Sequence, residues 1–387
     1  MEKLINKYAT KLLEAGLVDK DRFLIGGIDD DILWEGLLEV KGLEEIFDKL
    51  SINSLLFAKP KEPYGSIINF LSKRVLEENA DKIEPKDCET RTFLHDLPVL
   101  NNYSTSEAIE VLKERKCVII DGFGVITYGT VSPEQCFVTL SSVCFSTFVK
   151  FFSDYLKLKK ENRSDKEMEE VFNFVKNYKG SYPDFKNTLS KDIFENEESV
   201  YSAVAKAGKL TVEYGLVDSF FGNVSAFYNG NIYISQTGSS LDELDGYIDT
   251  CPFDGSTCTG LTASSELSAH MKIASDTDCR TILHGHPLFS VIMSMNCDKN
   301  DCENEGSCFK ICPEKREISG IPIVPGEVGT GSFGLCNTVP PELKNNNGVI
   351  VYGHGVFATG EKDFNEPFKR LLEIENRCME EYFKLVL

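Results

Sequence analysis

The chain is short of basic residues: its 387 residues carry 41 Lys and Arg against 61 Asp and Glu, for a formal net charge of −20. Such a charge disfavours binding to nucleic acids and anionic membranes, which need an excess of cationic side chains. The chain also lacks a run of about 18 apolar residues, the length that spans a membrane. We therefore expect neither a nucleic-acid partner nor a membrane partner, and any bound phosphate must be held by local groups.

A signal-peptide core is also missing from the N-terminal stretch MEKLINKYATKLLEAGLVDK, which predicts an amphipathic helix instead. The hydrophobic content of 42% and the charged content of 26% are ordinary for a globular chain, and the length predicts two or three domains. The 13 cysteines, an odd number, favour reduced thiols. These features predict a cytoplasmic protein.

Two stretches of the sequence recur in the same order. EAGLVD at 14–19 returns as EYGLVD at 213–218, and CVIIDGFGVITYG at 117–129 returns as GVIVYGHGVFATG at 348–360. Two matches in the same order predict two diverged copies of one unit. The alternative is a chance match between common strand–turn patterns.

The repeats divide the chain into a first copy at 1–158, a charged linker or helix at 159–195 and a second copy at 196–387. The first copy has Phe123 where the second has His354, and only FLHDLP, at 93–98, faintly resembles the histidine-bearing ILHGHP of the second copy. We therefore expect the first copy to be degenerate, with the fold kept and the metal ligands lost.

Histidine is scarce, with five in the chain, yet two of them stand two residues apart in ILHGHPLF. In a strand, residues i and i+2 face the same side, so His284 and His286 would lie side by side. His354, between Gly353 and Gly355, is a candidate third ligand. Three protein ligands with an open fourth position are typical of a catalytic zinc site. The alternative is a pair of incidental strand histidines.

The segment SSELSAHMKIASD predicts a helix that starts at its serines, with Glu266 in the first turn and His270 on the same face. A carboxylate near a bound cation acts as a general acid/base or as an exchangeable ligand. The alternative is a capped surface helix with a local Glu–His pair.

Small polar residues at turns and at this helix start form a candidate phosphate site, because backbone N–H groups and a helix N-terminus bind phosphate without lysines. Ordinary turn chemistry is the alternative for each of them singly. The candidates are Asn223, Thr237, Gly238, Ser264 and Ser265.

Taken in order, the motifs GNVS, QTG, SSE, HGH and GHG resemble the class II aldolase/adducin family over 196–387. The resemblance implies an α/β fold, a three-layer α/β/α sandwich with a mainly antiparallel central sheet, present here as two tandem copies. It implies a homo-oligomer, as ring-shaped tetramers with active sites at domain or subunit interfaces. It also implies that His284, His286 and His354 bind one divalent metal, zinc first, with Mn²⁺, Fe²⁺ or Co²⁺ as alternatives.

The resemblance further implies that Glu266 is the acid/base residue and that the small polar set binds a substrate phosphate. The implied activity is that of a metal-dependent aldolase-type carbon–carbon lyase in carbohydrate metabolism, which acts on a small phosphorylated ketose through a metal-stabilised enediolate. A 4-epimerase and a sugar-phosphate dehydratase of the same family are alternatives; Glu266, where the epimerase pattern has Asp, favours the lyase or the dehydratase. A non-catalytic metal-binding or scaffold protein is a further alternative.

The sequence departs from the family pattern at two places. Gln236 stands before Thr237 where the family has proline. No tyrosine after HGHP matches the family's catalytic tyrosine, and the C-terminus offers only Tyr382. A Cys-rich insertion at about 296–316 replaces that segment. Its cysteines predict a second zinc site or an iron–sulfur cluster, with free or disulfide-forming thiols as the alternative; they are Cys297, Cys302, Cys308 and Cys312.

Overall fold

The structure is a computed structural model, and its chain divides into two compact units, Met1–Gly180 and Ser181–Leu387. The residues that it describes are 1–178, 180, 182, 185–186, 188–189, 194–218, 220–256, 258–259, 261–299 and 302–387.

The first unit alternates helices and short strands, with one π-helical turn at Thr90–Leu94. Its helices are α1 (Glu2–Glu14), α2 (Leu43–Lys49), α3 (Tyr64–Glu77), α4 (Thr105–Leu112), α5 (Pro133–Lys160) and α6 (Lys166–Val175). Its strands are β1 (Phe23–Ile28), β2 (Ile32–Gly36), β3 (Ser54–Ala58), β4 (Lys82–Ile83), β5 (Leu97–Leu100), β6 (Cys117–Ile120) and β7 (Gly124–Gly129).

The second unit follows the same alternation. Its helices are α7 (Glu197–Glu213), α8 (Leu267–Asp276), α9 (Leu288–Met295), α10 (Leu335–Leu343) and α11 (Asn365–Val386). Its strands are β8 (Asn223–Tyr228), β9 (Asn231–Ser235), β10 (Ile248–Pro252), β11 (Thr281–Gly285), β12 (Arg316–Ile318), β13 (Ile321–Val324), β14 (Gly348–Val351) and β15 (Gly355–Gly360).

The sheets of the two units have the same topology. The order is β2-β1-β3-β7-β6-β5-β4 in the first and β10-β9-β8-β11-β15-β14-β13-β12 in the second, so that β10 is the one added strand. Each sheet is antiparallel except for one parallel pair, β5–β6 or β13–β14, at the same place in the order. The predicted α/β fold with two tandem copies and mainly antiparallel sheets is confirmed.

Helices cover both faces of each sheet, which gives three layers. In the second unit, α7, α9 and α11 pack on one face, and α8 and α10 pack on the other. A buried apolar cluster lies under α8 and α10 and includes Ile273, Ile282, Val339 and Phe357. In the first unit, α1, α3 and α5 cover one face, whereas α2 and α4 cover the other. The face under α8 is where β11 presents His284.

The EAGLVD and EYGLVD repeats end α1 and α7 by the same local hydrogen bonding. Gly16 and Gly215 have positive φ, of 66° and 63°, which glycine adopts without strain. The next amide in each copy donates back across the turn, from Leu17 to Leu12 and from Leu216 to Thr211. This pattern is a Schellman C-cap in both copies.

Most elements predicted in the second copy are confirmed, including the hairpin of β8 and β9 around Asn229-Gly230 and the C-terminal helix Asn365–Val386. The start of α8 differs, since the helix begins at Leu267 rather than at the serines. Ser264 still caps the preceding turn, because its Oγ accepts from the Glu266 amide at 3.3 Å.

The segment predicted as a linker or helix at 159–195 is partly helical. α5 continues through Lys160, and α6 follows and packs on α3, so both belong to the first unit. Positions 179, 181, 183, 184, 187 and 190–193 of this segment lie outside the described residues. Among the described residues, α5 is the one helix long and apolar enough to cross a membrane, contrary to expectation, and 83% of its apolar window is buried in the structure.

Candidate active site

Three histidines meet at one end of the second unit's central strands. His284 lies in β11, His286 follows that strand directly, and His354 lies in the turn between β14 and β15. One ring nitrogen from each lies within 4.8 Å of the others. All three side chains are buried, with at most 4% of each residue exposed. The fold therefore brings together the three histidines that the sequence singled out.

His284 is held on three sides. Its Nδ1 lies 3.0 Å from the carbonyl oxygen of Val356, which requires a protonated Nδ1 and leaves the Nε2 lone pair directed into the histidine group. Its ring stacks on Phe357, with centroids 4.1 Å apart. Gly355 permits this approach, because a Cβ there would lie 2.2 Å from the Gly285 carbonyl oxygen and 3.1 Å from the His284 ring.

The protonation of the group suits a cation. Burial, together with neighbouring His284, lowers the pKa of His286 well below its usual range, so that this ring stays neutral. The Nε2 atoms of His286 and His284 lie 3.2 Å apart. Neutral imidazole nitrogens that converge in a buried space are the donor set preferred by Zn²⁺ and related divalent metals. The residues present therefore fit the implied metal.

Glu266 lies at the start of α8, with its carboxylate directed into the same group. Its Oε2 lies 3.6 Å from His284 Nε2, and its Oε1 lies 3.5 Å from His354 Nε2. Asn223 donates to Oε2 from its side-chain amide at 2.9 Å. Asn223, predicted as a phosphate ligand, thus uses its amide on the carboxylate, and its Oδ1 is buried with no hydrogen-bond partner among the described residues.

A second polar pair lies one helical turn further along α8. His270 is fully buried, and its Nδ1 lies 2.7 Å from the Ser225 hydroxyl. Burial, with a smaller contribution from His284, lowers the pKa of His270 to about 3. The predicted shared face of Glu266 and His270 therefore exists, and it packs on β8 instead of facing solvent.

The other predicted phosphate residues lie on two adjoining segments. The backbone of Thr237 donates to the Thr262 carbonyl at 2.9 Å, and Ser264 donates to the Ser235 carbonyl at 3.2 Å. Thr237, Gly238 and Ser265 are exposed, whereas Ser264 is buried. Gln236, the departure from the family pattern, donates to Asp249 at 2.9 Å, and Thr262 donates to the other oxygen of that carboxylate at 2.7 Å. Asp249 therefore ties the two segments together.

Two supports of the site were missed from the sequence. Glu375 of α11 is fully buried and accepts from the backbone N–H groups of Phe289 and Ser290, at 2.8 and 2.7 Å, which caps α9 just after His286. The Val356 carbonyl is a backbone group that no motif displays. The signal for Glu375 was available, since it is a carboxylate on the apolar face of an amphipathic helix.

The structure does not bring the four loop cysteines together. Among the described residues, the three histidines are the one set of His, Cys, Asp or Glu side chains with three ligand atoms within 4.8 Å. The loop instead forms successive backbone turns, from Glu305 to Cys302 and from Lys310 to Ser307. Cys308 contacts the Asn304 carbonyl through its sulfur at 3.6 Å. The predicted second zinc or iron–sulfur site is therefore not assembled here; residues 300 and 301 lie outside the described residues.

Tyr382 lies in the buried core of the second unit. It is fully buried in α11 and packs on Phe289, with ring centroids 5.3 Å apart. Tyr382, the one tyrosine that the sequence offered near the C-terminus, is therefore a core residue in this unit.

The register of the first sheet corrects the assignment of FLHDLP. Ala58 pairs with Val125 as Gly285 pairs with Val356, so that Phe57, Lys59 and Phe123 hold the places of His284, His286 and His354. The true counterpart of HGHP is therefore Phe57-Ala58-Lys59-Pro60. FLHDLP instead spans the π-helical turn and the start of β5.

Comparison with known proteins supports the family resemblance for the second unit. Residues 202–382 match the family described as Class II Aldolase and Adducin N-terminal domain. No curated protein is similar enough to count as a match.

Solved structures similar to this chain include L-fuculose-1-phosphate aldolase from Thermus thermophilus, at 21% identity over 48% of this chain and 94% of that one, with a TM-score of 0.39. YgbL from Escherichia coli, a putative aldolase/epimerase/decarboxylase, is 18% identical over 48% and 90% of the two chains, with a TM-score of 0.40. A sugar-phosphate aldolase from Thermotoga maritima is 21% identical over 49% and 95%, with a TM-score of 0.35. The family match over 202–382 lies within the second unit, which is therefore similar to a class II aldolase/adducin domain.

Proposed function

We propose that the second unit is a metal-dependent lyase of the aldolase type that acts on a small phosphorylated ketose. The observation that carries the proposal is the buried group of three histidine nitrogens with the Glu266 carboxylate 3.5 and 3.6 Å from two of them. A domain that kept the family fold without its chemistry would have no reason to keep these four side chains together.

His284, His286 and His354 would hold the divalent metal. That metal would supply Lewis-acid polarisation of the substrate carbonyl. The chain itself keeps the His286 ring neutral, because burial depresses its pKa. It also excludes bulk water, since each histidine is almost fully buried.

Glu266 is the acid/base candidate. Asn223 donates to its Oε2, and this hydrogen bond fixes the carboxylate plane. Oε1 is then the oxygen that exchanges a proton with the substrate. General acid–base groups contribute roughly 10²–10⁴ in rate, which sets the size of the effect to look for.

The substrate phosphate would bind at the exposed turn formed by Thr237 and Gly238 with the segment before α8. These residues carry no cationic side chain, so backbone N–H groups and the start of α8 would supply the attraction. With a net charge of −20, only such local groups would hold an anion.

The test combines metal analysis with product analysis. Protein purified without oxygen is assayed for zinc, iron, manganese and cobalt, and then incubated with a panel of phosphorylated ketoses. Cleavage to two carbonyl products supports the lyase, whereas an epimer or a dehydrated product identifies one of the alternative activities. The proposal fails if the protein holds no stoichiometric divalent metal, or if the His284→Ala variant keeps its metal.

A further inference from the structure

Two parallel hydrogen bonds join α8 to β8 at the histidine site. Asn223 and Ser225 are two residues apart on β8 and face the same side, and Glu266 and His270 are four apart at the start of α8. Asn223 bonds to Glu266 at 2.9 Å and Ser225 bonds to His270 at 2.7 Å. A helix held at two points one turn apart is restrained both in rotation about its axis and in position along the strand.

A histidine at position 270 is energetically unfavourable if its role is only structural packing. It is fully buried, and its Nε2 has no hydrogen-bond partner among the described residues. An apolar side chain of similar size would fill the space without an unsatisfied nitrogen, whose burial is unfavourable. Its ring lies 5.8 Å from Phe357, which stacks on His284 on another side. His270 therefore lies directly behind the site without entering the histidine group.

The first unit shows that the fold forms without either bond. Leu24 pairs with Phe57 as Asn223 pairs with His284, and Gly26 pairs with Leu55 as Ser225 pairs with Ile282. By strand register, Leu24 therefore holds the place of Asn223, and Gly26 holds the place of Ser225. The Trp34 ring covers Gly26, so closely that a Cβ there would lie 2.4 Å from it.

The helix residues of the two hydrogen bonds differ between the units, as the strand residues do. Gly42 precedes α2 as Glu266 precedes α8, and counted from the helix start Ile46 holds the place of His270. Ile46 belongs to the buried apolar core of the first unit. The two polar pairs are thus lost together with the histidines, while the sheet and its helices remain.

From this we infer that His270, held by Ser225, is a positioning residue that acts through Glu266. The Ser225–His270 hydrogen bond holds α8 in the position in which the Glu266 carboxylate lies between His284 and His354. The inference rests on the proposed function for its metal but not for its reaction. Neither residue of the pair is within the histidine group, and the helix that carries Glu266 is the path by which we infer that the pair acts on the site.

A double-mutant cycle on metal affinity tests the inference without any substrate. Zinc affinity is measured by competition with a chelator in the wild-type protein, His270→Phe, Glu266→Gln and the double variant. We expect His270→Phe to weaken zinc binding about 10-fold in the wild-type background, as supporting residues around metal ligands typically do. In the Glu266→Gln background the same change should not alter zinc affinity, because the Glu266 carboxylate through which His270 acts is already removed.

Conservative and matched controls separate positioning from folding. His270→Asn keeps a polar atom near the Nδ1 position for Ser225 and should restore zinc affinity to within about threefold of wild type, within the range expected for a supporting residue. Thr211→Val removes a buried helix hydroxyl that bonds the Ala207 carbonyl at 2.7 Å, and it should leave zinc affinity unchanged. Circular dichroism and the urea midpoint report whether each variant folds.

The outcomes are distinct. Equal losses from His270→Phe in both backgrounds would overturn the inference, and so would unchanged affinity in a folded His270→Phe variant or failure of His270→Asn to recover binding. Coupling in zinc affinity, with no turnover on any ketose phosphate, would support the positioning role and overturn the proposed reaction. Where turnover is found, His270→Phe should lower kcat about 10-fold with little change in KM. A wild-type protein that takes up no divalent metal would overturn both.

Discussion

In the second unit, the ends of the central strands carry His284, His286 and His354, whereas the first unit carries Phe57, Lys59 and Phe123 at the same register positions. The replaced side chains still contact one another. The Phe57 and Phe123 rings lie 5.0 Å apart, and Lys59 Nζ lies 5.4 Å from the Phe123 ring centroid. Aromatic and cation–π packing therefore fills the space that three imidazoles line in the second unit.

The change extends to the surrounding positions. By strand register, Leu24 holds the place of Asn223, and Leu38 holds the place of Gly238. Val40 precedes α2 by as many residues as Ser264 precedes α8. All three pack against the same buried cluster that contains Phe57. The first unit shows that this sheet topology forms with apolar side chains at these positions. It follows that the polar side chains of the second unit are kept for a reason other than folding.

The largest expected effect comes from giving the second unit the residues of the first. We expect the variant His284→Phe/His286→Lys/His354→Phe to lose its metal and all turnover. It should nevertheless fold, because the same side chains pack at the same strand ends in the first unit. Elemental analysis, turnover and circular dichroism measure the three quantities.

The unfolding transition adds a control to that substitution. Added zinc should raise the urea midpoint of the wild-type protein, since a ligand that binds only the folded state stabilises it, and should leave the triple variant unchanged. If the triple variant retained stoichiometric zinc, the assignment of the site to the second unit would be wrong.

A smaller effect is expected from Glu266→Gln, which keeps the shape of the side chain and removes its charge. The three histidines remain, so the variant should still bind a metal. Its kcat should fall by roughly 10²–10⁴, the usual contribution of a general acid/base. Glu342→Gln, at a half-buried glutamate in α10, is a suitable control and should retain wild-type turnover. Equal kcat values for Glu266→Gln and wild type would remove Glu266 from the reaction.

The parts of the fold that repeat local sequence could be predicted. Both copies of the glycine C-cap and the Asn229-Gly230 hairpin are set by residues next to each other in the chain, so the sequence displays them directly. His284 and His286 could be paired for the same reason, because a strand places residues i and i+2 on one face. His354 was singled out between its two glycines, and the structure shows that Gly355 allows a close approach to the Gly285 carbonyl.

Contacts between distant segments were harder to foresee. Asn223 was assigned to phosphate from its turn position, but only the pairing of β8 with β11 places it beside Glu266. The four loop cysteines lie close in sequence, yet among the described residues their thiols form no group of three ligand atoms. FLHDLP matched HGHP in letters, whereas strand register pairs HGHP with a stretch that contains no histidine. Letters alone do not show register.

Glycine at the start of the last central strand gives a matched pair between the units. A Cβ at Gly355 would lie 2.2 Å from the Gly285 carbonyl, and a Cβ at Gly124 would lie 2.6 Å from the Ala58 carbonyl. We expect either glycine-to-alanine change to destabilise the protein by roughly 1–3 kcal/mol, as overpacking does. Only Gly355→Ala should also weaken zinc binding, since its Cβ meets the His284 and His286 rings. Equal zinc affinities in the two variants would contradict the proposed role of Gly355.

The smallest expected effect is the pH dependence that His270 contributes, since Ile46 at the corresponding helix position of the first unit does not titrate. Phe57 and Phe123 do not titrate, whereas burial lowers the pKa of His270 from 6.5 to about 3. The unfolded chain therefore binds a proton below pH 6.5 that the folded chain refuses, and stability is lost as the pH falls from about 6.5 toward 3. For this one group the loss at pH 5.5 is about 1.4 kcal/mol. His270→Asn removes it, so the difference in urea-unfolding free energy between wild type and His270→Asn, measured on metal-free protein at pH 7.5 and 5.5, should change by that amount in favour of the variant. A difference that is the same at both pH values would mean that His270 is not buried in its neutral form.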